Sequence, residues 1–133
     1  MINCDIYTPS GKHINVETEI VSFDSSDQRR GITEGHMPTV IKVEACRFST
    51  LLNGERKHYA MGPGILYFDR NQAKFLVDSI EAKEDIDLQR AKDAYDRANS
   101  RIKSKREDLD YMRAVLARDK ALNRINVYNY KEQ

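Results

Sequence analysis

The stretch from Lys74-Phe75-Leu76-Val77 through Ile86-Asp87-Leu88-Gln89-Arg90-Ala91 holds the point where this chain changes its period. Before it, apolar residues alternate or cluster in short runs; after it they recur every three to four positions, so strands give way to helices. Residue type changes at the same place. All four Phe and all three Pro precede residue 80, and the tail beyond is charged and rich in Ala. The expected organisation is a β domain over 1–80 and a helical arm over 81–133.

Upstream, Ile2, Cys4 and Ile6 alternate with Asn3, Asp5 and Tyr7, and Thr8-Pro9-Ser10-Gly11 breaks the run before Ile14 and Val16 begin another. Further runs cover Thr18 to Phe23, Thr39 to Val43, Cys46 to Leu51, Lys57 to Met61, Ile65 to Phe68 and Lys74 to Val77. Asn53-Gly54 between two of them is the pair that a type I′ hairpin turn favours, because both central residues need positive φ. Short strands at this density predict a small antiparallel sandwich or barrel.

Composition excludes several classes. With 22 Lys and Arg against 21 Asp and Glu in 133 residues, no global field recruits nucleic acid. No apolar run approaches the roughly 20 residues of a membrane span, and no basic and apolar leader opens the chain. Cys4 and Cys46 lack metal-ligand spacing and read as reduced packing residues. His13, His36 and His58 stand apart, and neither a zinc helix motif nor a phosphate-cradling glycine loop is present. No catalytic or metal-binding residue is expected, and each His is read as structural, His36 in its Gly35-His36-Met37-Pro38 loop being the leading exception.

In the arm, Ala91, Ala94, Tyr95, Ala98 and Ile102 share one helical face, and Leu109, Met112, Leu116, Leu122 and Ile125 recur along a second helix. Ser104-Lys105-Arg106-Glu107 has the form of a capping box at that second helix's start. Glu81, Glu84, Asp85 and Asp87 crowd the start of the first, where the helix dipole favours negative charge. The expectation is an antiparallel two-helix hairpin, and the fold class is α+β. Its Ala-rich stripes bury little area, so it should hold its place only marginally.

Arg90, Arg97 and Arg101 lie at i, i+7 and i+11, and Arg113, Lys120 and Arg124 repeat those intervals. Folded together, two such stripes can surround a polyphosphate, since the guanidinium fork binds phosphate oxygens in pairs. The other reading of the same spacing is a solvated face partnered by Asp93, Asp96 and Asp119.

Three motifs carry a resemblance to the bacterial ATP synthase epsilon subunits over nearly the whole chain. Ile86-Asp87-x-x-Arg90-Ala91 resembles the I/L-D-x-x-R-A motif of those members whose hairpin binds ATP. Gly31-Ile32-Thr33-Glu34-Gly35-His36-Met37-Pro38 resembles the family's G-I-x-P-G-H-x-P loop, and Ala121-Leu122-Asn123-Arg124-Ile125-Asn126-Val127 its closing A-x-N-R-L-x-V. Differences from the pattern are Lys120 where ATP-binding relatives have Arg, Asp27-Gln28-Arg29-Arg30 where G-E-L is common, and Gly62-Pro63-Gly64 in place of a Ser-Gly-Gly turn.

The resemblance implies a noncatalytic subunit of the rotary enzyme's central stalk, coupling proton transport to ATP synthesis at the cytoplasmic face of the membrane. It implies that the sandwich binds the gamma subunit and the c-ring, with Arg29, Arg30, Gly31 and His36 at subunit contacts. It implies a hairpin that toggles between a docked form and an extended form, the latter meeting the catalytic beta subunit and inhibiting hydrolysis. No cofactor is required, but a regulatory ATP is implied at Glu81, Ile86, Asp87, Arg90, Ala91, Arg97, Arg113, Lys120 and Arg124. A stand-alone nucleotide-sensing module is the alternative. A nucleic-acid-binding coiled coil is disfavoured, because residues 81–133 carry 13 Lys and Arg against 11 Asp and Glu.

Overall fold

The structure, a computed structural model, describes residues 1–25, 28–104 and 108–132. The chain forms two compact units, Met1–Lys83 and Glu84–Gln133. The first holds ten strands: β1 (Ile2–Tyr7), β2 (His13–Thr18), β3 (Ile20–Asp24), β4 (Gly31–Thr33), β5 (Thr39–Val43), β6 (Cys46–Leu52), β7 (Glu55–Met61), β8 (Gly64–Asp69), β9 (Gln72–Val77) and β10 (Ile80–Ala82). They make two five-stranded sheets, in the orders β2-β1-β9-β8-β5 and β10-β7-β6-β3-β4.

Alternation decides what faces inward. Ile2, Cys4 and Ile6 of β1 are buried, as are Leu66 and Phe68 of β8, and they join Phe48 and Phe75 in one core. The Phe48 and Phe75 rings meet edge to face with centroids 5.2 Å apart, and Phe23 packs on Phe75 in the same manner at 6.2 Å. Cys4 and Cys46 are buried and in no disulfide, and burial pushes both thiols up to about 12.

The structure differs from the sequence reading at several places. The run from Thr18 to Phe23 is a corner between the sheets and not one strand. Thr18, fully buried, donates its hydroxyl to the Ile20 carbonyl at 2.6 Å and accepts the Leu51 N–H at 2.9 Å, which turns the chain from β2 into β3. The sheets are not wholly antiparallel, because β1 pairs with β9 in parallel, from Asn3 opposite Gln72 to Tyr7 opposite Leu76. The first unit runs to Lys83, since Ile80–Ala82 pairs with β7 as an edge strand. The Asn53-Gly54 turn forms as expected, with φ of 53° and 78° between paired Leu52 and Glu55. A second turn of the same kind, Arg70-Asn71, has φ of 48° and 60° and carries no glycine.

The second unit holds α1 (Leu88–Lys103) and α2 (Asp108–Asn129), preceded by a short 3-10 turn at Lys83–Asp85 that starts in the first unit. The helices pack against each other, and the short link between them makes the pair antiparallel. Of the acidic residues expected at the start of α1, Asp87 caps it. Glu81 lies in β10, and Glu84 and Asp85 lie in the turn. Ser104 closes α1, its hydroxyl donating to the Arg101 carbonyl at 2.7 Å, and the remainder of the expected capping box lies outside the described residues.

The buried face of α2 is not the expected one. Met112, Leu116 and Leu122 are exposed, while Ala114, Ala121 and Val127 are buried, facing the same logic in α1, where Ala91 and Ala98 bury. Alanines at heptad spacing let two helix backbones approach closely, and the larger side chains are left on the outside. The side chain of Leu109 lies outside the described residues.

Candidate functional site

The nine residues implied for ATP divide between the units. Glu81 is half-buried in β10, opposite Ala60 of β7, and the other eight belong to the hairpin. Asp87 precedes α1 with an extended backbone, and its Oδ1 accepts the Arg90 N–H at 3.1 Å. That bond fixes the first turn and satisfies one of the amides a helix start leaves open. Ile86 and Ala91 are buried, so they shape the start of the helix and do not present polar contacts. Arg90, Arg97 and Arg113 are exposed and make no ion pair among the described residues; Lys120 and Arg124 are half-buried.

A regularity links the cations to the packing. Among the described residues of the hairpin, each of the four buried alanines follows directly on a cation: Arg90-Ala91, Arg97-Ala98, Arg113-Ala114 and Lys120-Ala121. The basic residues therefore flank the buried stripe at a constant angle, one residue back along each helix. Among the described residues no group of His, Cys, Asp and Glu could hold a metal ion.

The four residues expected at subunit contacts fall on both sides of β4. Arg29 and Arg30 precede it and are exposed, and Gly31 opens it opposite Ser22. The Arg30 N–H donates to Asp24 Oδ1 at 3.1 Å, and its Nε donates to Gln28 Oε1 at 3.0 Å. His36 follows the strand, with Nδ1 2.8 Å from the Met37 carbonyl and its ring edge-on to Phe68 at 5.8 Å. The structure does not bring His36 beside the Arg29-Arg30 pair.

Sequence reasoning missed two features of the sandwich. Asn71, in the Arg70-Asn71 turn, accepts the Gly35 N–H on Oδ1 at 2.8 Å and the Asn3 N–H on its backbone carbonyl at 2.9 Å, so it pins the His36 loop to the sheet. The outer face of the first sheet also carries an apolar patch, on β5, β8 and β9. Val40 is 66% exposed, Leu76 45%, Tyr67 43% and Ile65 40%, and Val40 and Tyr67 sit opposite each other in register, as do Ile65 and Leu76. A groove of about 810 Å³ runs over this face from Pro38 to Leu76. The available signal was the unbroken Ile65-Leu66-Tyr67-Phe68, which has apolar residues for both faces of its strand.

Both halves match known families. Residues 1–83 match the ATP synthase delta/epsilon chain beta-sandwich domain, and residues 84–129 match the ATP synthase delta/epsilon chain long alpha-helix domain. The ATP synthase epsilon chain of Bacillus thuringiensis (strain Al Hakam) is 41% identical over 128 residues, covering 95% of each chain. That of Lactobacillus helveticus is 33% identical over 138 aligned residues, covering 98% of this chain and 94% of its own. Among solved structures, a chain of the Euglena gracilis mitochondrial ATP synthase shares the fold with a TM-score of 0.73 at 13% identity, over 92% of this chain and 78% of that one. A chain of the Tetrahymena thermophila central stalk and c-ring assembly gives 0.56 at 10% identity, over 96% and 92%. With both domains in order and relatives matched along almost their full length, the chain belongs to the ATP synthase delta/epsilon family, as an epsilon subunit of the F-type central stalk.

Proposed function

We propose that this chain couples and regulates the rotary enzyme without catalysing a reaction itself, with the sandwich as its assembly surface and the hairpin as an ATP-sensitive brake on hydrolysis. The observation that carries the regulatory half is the pairing of each buried alanine described in the hairpin with a preceding cation. In an antiparallel helix pair, residues turned by the same angle from the contact stripe emerge on the same side of the hairpin. Arg90, Arg97, Arg113 and Lys120 then share one face, with Arg124 one turn beyond Lys120, and a triphosphate is the ligand whose charge and oxygens use them. Small side chains beneath leave room for the base and ribose.

The assembly half rests on the apolar patch on the outer face of the first sheet, which suits the gamma subunit, and on the His36 loop, which suits the c-ring or gamma. A stand-alone nucleotide sensor has no use for such a face. The subunit then sits at the cytoplasmic side of the membrane and meets it only through the complex; among the described residues no helix is long and apolar enough to cross. ATP that binds only the docked hairpin stabilises it by about 2.7 kcal/mol at a hundredfold excess over Kd. With ATP depleted, the hairpin extends toward the catalytic beta subunit and stops hydrolysis.

Calorimetric titration of the chain with ATP and Mg²⁺ tests the site. Arg90→Ala and Arg124→Ala should each weaken binding roughly tenfold or more, as expected for a lost charge-assisted bond. Lys120→Arg should strengthen it by restoring the fork, and Lys92→Ala, which precedes no buried alanine, should change little. Equal losses in the three alanine variants would reduce the effect to nonspecific charge. In the assembled enzyme, truncation after Lys83 should raise hydrolysis at low ATP, and an unchanged rate would refute the brake.

A further inference from the structure

The Asn53-Gly54 and Arg70-Asn71 turns both need positive φ at their two central residues, and they meet the need differently. The first uses the pair that adopts it most readily, whereas the second holds two residues with side chains at φ of 48° and 60°. A backbone that accepts such strain where glycine would relieve it points to a use for the side chain. The Asn71 side chain has one. It reaches out of its own hairpin to a residue 36 positions away in sequence, where Oδ1 accepts the Gly35 N–H at 2.8 Å. The Asn71 carbonyl accepts the Asn3 N–H at 2.9 Å, which ties the turn to β1 and presents the acceptor from a fixed base.

The bonded amide lies at the sharpest point of the loop that follows β4. Gly35 has a φ of 84°, and the His36 N–H donates to the Thr33 carbonyl at 3.2 Å, closing a turn over 33–36. Beyond it His36 packs edge-on to Phe68 of β8, and Met37 is 71% exposed. Pro38 and Val40 then line the same groove as Tyr67 and Leu76, so the loop and the apolar patch form one continuous surface.

We propose that Asn71 is the positioning residue of this surface: through the Gly35 amide it sets the 35–38 loop in line with the patch, so that loop and patch together meet one apolar face of the gamma subunit. The inference rests on the reading that the sandwich docks on gamma. It assigns the His36 loop to gamma rather than to the c-ring, because the loop continues the patch and shares its groove. A loop fixed before binding loses less conformational freedom on docking, and that difference appears as affinity. Asn71 acts through the loop.

The test is titration of purified gamma subunit with the full-length chain. Asn71→Gly eases the turn while removing the acceptor, so the unfolding midpoint should stay close to that of the wild type. Amide exchange at Gly35 should quicken, and gamma affinity should fall about three- to tenfold, as for one lost neutral hydrogen bond. Asn71→Asp keeps the acceptor and should restore most of the affinity. Asn53→Gly makes the same change in the other turn and should leave affinity unaltered. His36→Ala combined with Asn71→Gly should cost less than the sum of the two, since both act through one loop. An Asn71→Gly chain that binds gamma as tightly as the wild type overturns the positioning role and spares the docking reading. So does an Asn71→Asp chain as weak as Asn71→Gly, a fully additive double variant, or a loss of affinity matched by a lowered midpoint. A wild-type chain that does not bind gamma overturns both.

Discussion

The Asp87 carboxylate caps α1 and, in the proposed function, also contacts ATP, and substitution can separate the two. Its Oδ1 accepts the Arg90 N–H at 3.1 Å from a backbone at φ −88° and ψ 105°, which makes it the N-cap of α1. Asp87→Ala removes the acceptor, and because the position is exposed, water takes over part of the freed amide's demand. The cost is then the ~1 kcal/mol typical of an N-cap and not the larger penalty of a buried orphan. Asp87→Ser returns an acceptor at the same place and should recover nearly all of that stability. In the proposed ligand site, however, the carboxylate itself contacts ATP, and Ser lacks it. Thermal unfolding followed by circular dichroism, with amide exchange at the first turn of α1, should therefore rank Ser beside the wild type and Ala below both. Calorimetry with ATP should instead rank Ser beside Ala. A Ser variant that binds ATP as the wild type does would confine Asp87 to capping, and one as unstable as Ala would refute the cap.

Gly64→Ala should destabilise the sandwich by ~2–4 kcal/mol, read as a shift of the denaturant midpoint, because its methyl would lie 2.6 Å from Val77 Cα and 2.9 Å from the Leu76 carbonyl carbon, both in the backbone of the paired strand. Gly54→Ala, which meets nothing within 4 Å and strains only a φ of 78°, should cost about 1 kcal/mol; equal costs would refute the packing argument. Hydrogen bonds from Asn15 and His13 hold the Asp5 carboxyl below its usual range. A folded pKa that is depressed contributes stability above the unfolded value of ~3.9 and loses it as pH falls through the folded one. The deficit of Asp5→Asn at neutral pH should accordingly shrink in urea titrations below about pH 4, and a deficit independent of pH would refute the linkage.

Local chemistry made most of the sandwich legible. Alternation at Ile2, Cys4 and Ile6 names the inner face of β1, and Asn53-Gly54 names a turn whose φ values only certain residues adopt. What sequence did not reveal was decided by distant pairing. β4 and β10 have three residues each and are strands only because β3 and β7 stand beside them. The parallel contact of β1 with β9 joins segments about 70 positions apart, and nothing in either run states its direction. Thr18 reads in the sequence as the start of the run to Phe23, but it ends β2, because a corner is made by where its hydroxyl bonds, to Ile20 and Leu51, and not by its residue type.

In the hairpin the cations were legible by their spacing, but the residues that organise them were not, because hydrophobic periodicity gives weight to size. Met112, Leu116 and Leu122 were assigned to the inner face of α2 on that basis, yet they are exposed while Ala114 and Ala121 bury. A contact between helices that favours close approach selects the smallest side chains, and a hydropathy pattern ranks those low. The choice has an energetic consequence. Four alanine methyls at about 0.8 kcal/mol each contribute about 3 kcal/mol of burial, before whatever Ile86 and Val127 add. That sum is of the same size as the stabilisation by a ligand at a hundredfold excess over its Kd. A hairpin closed on leucines would be held by several times as much and would ignore such a ligand. In the proposed function, the small residues that bring the cations to one face would thus also make the arm responsive to an anion bound there.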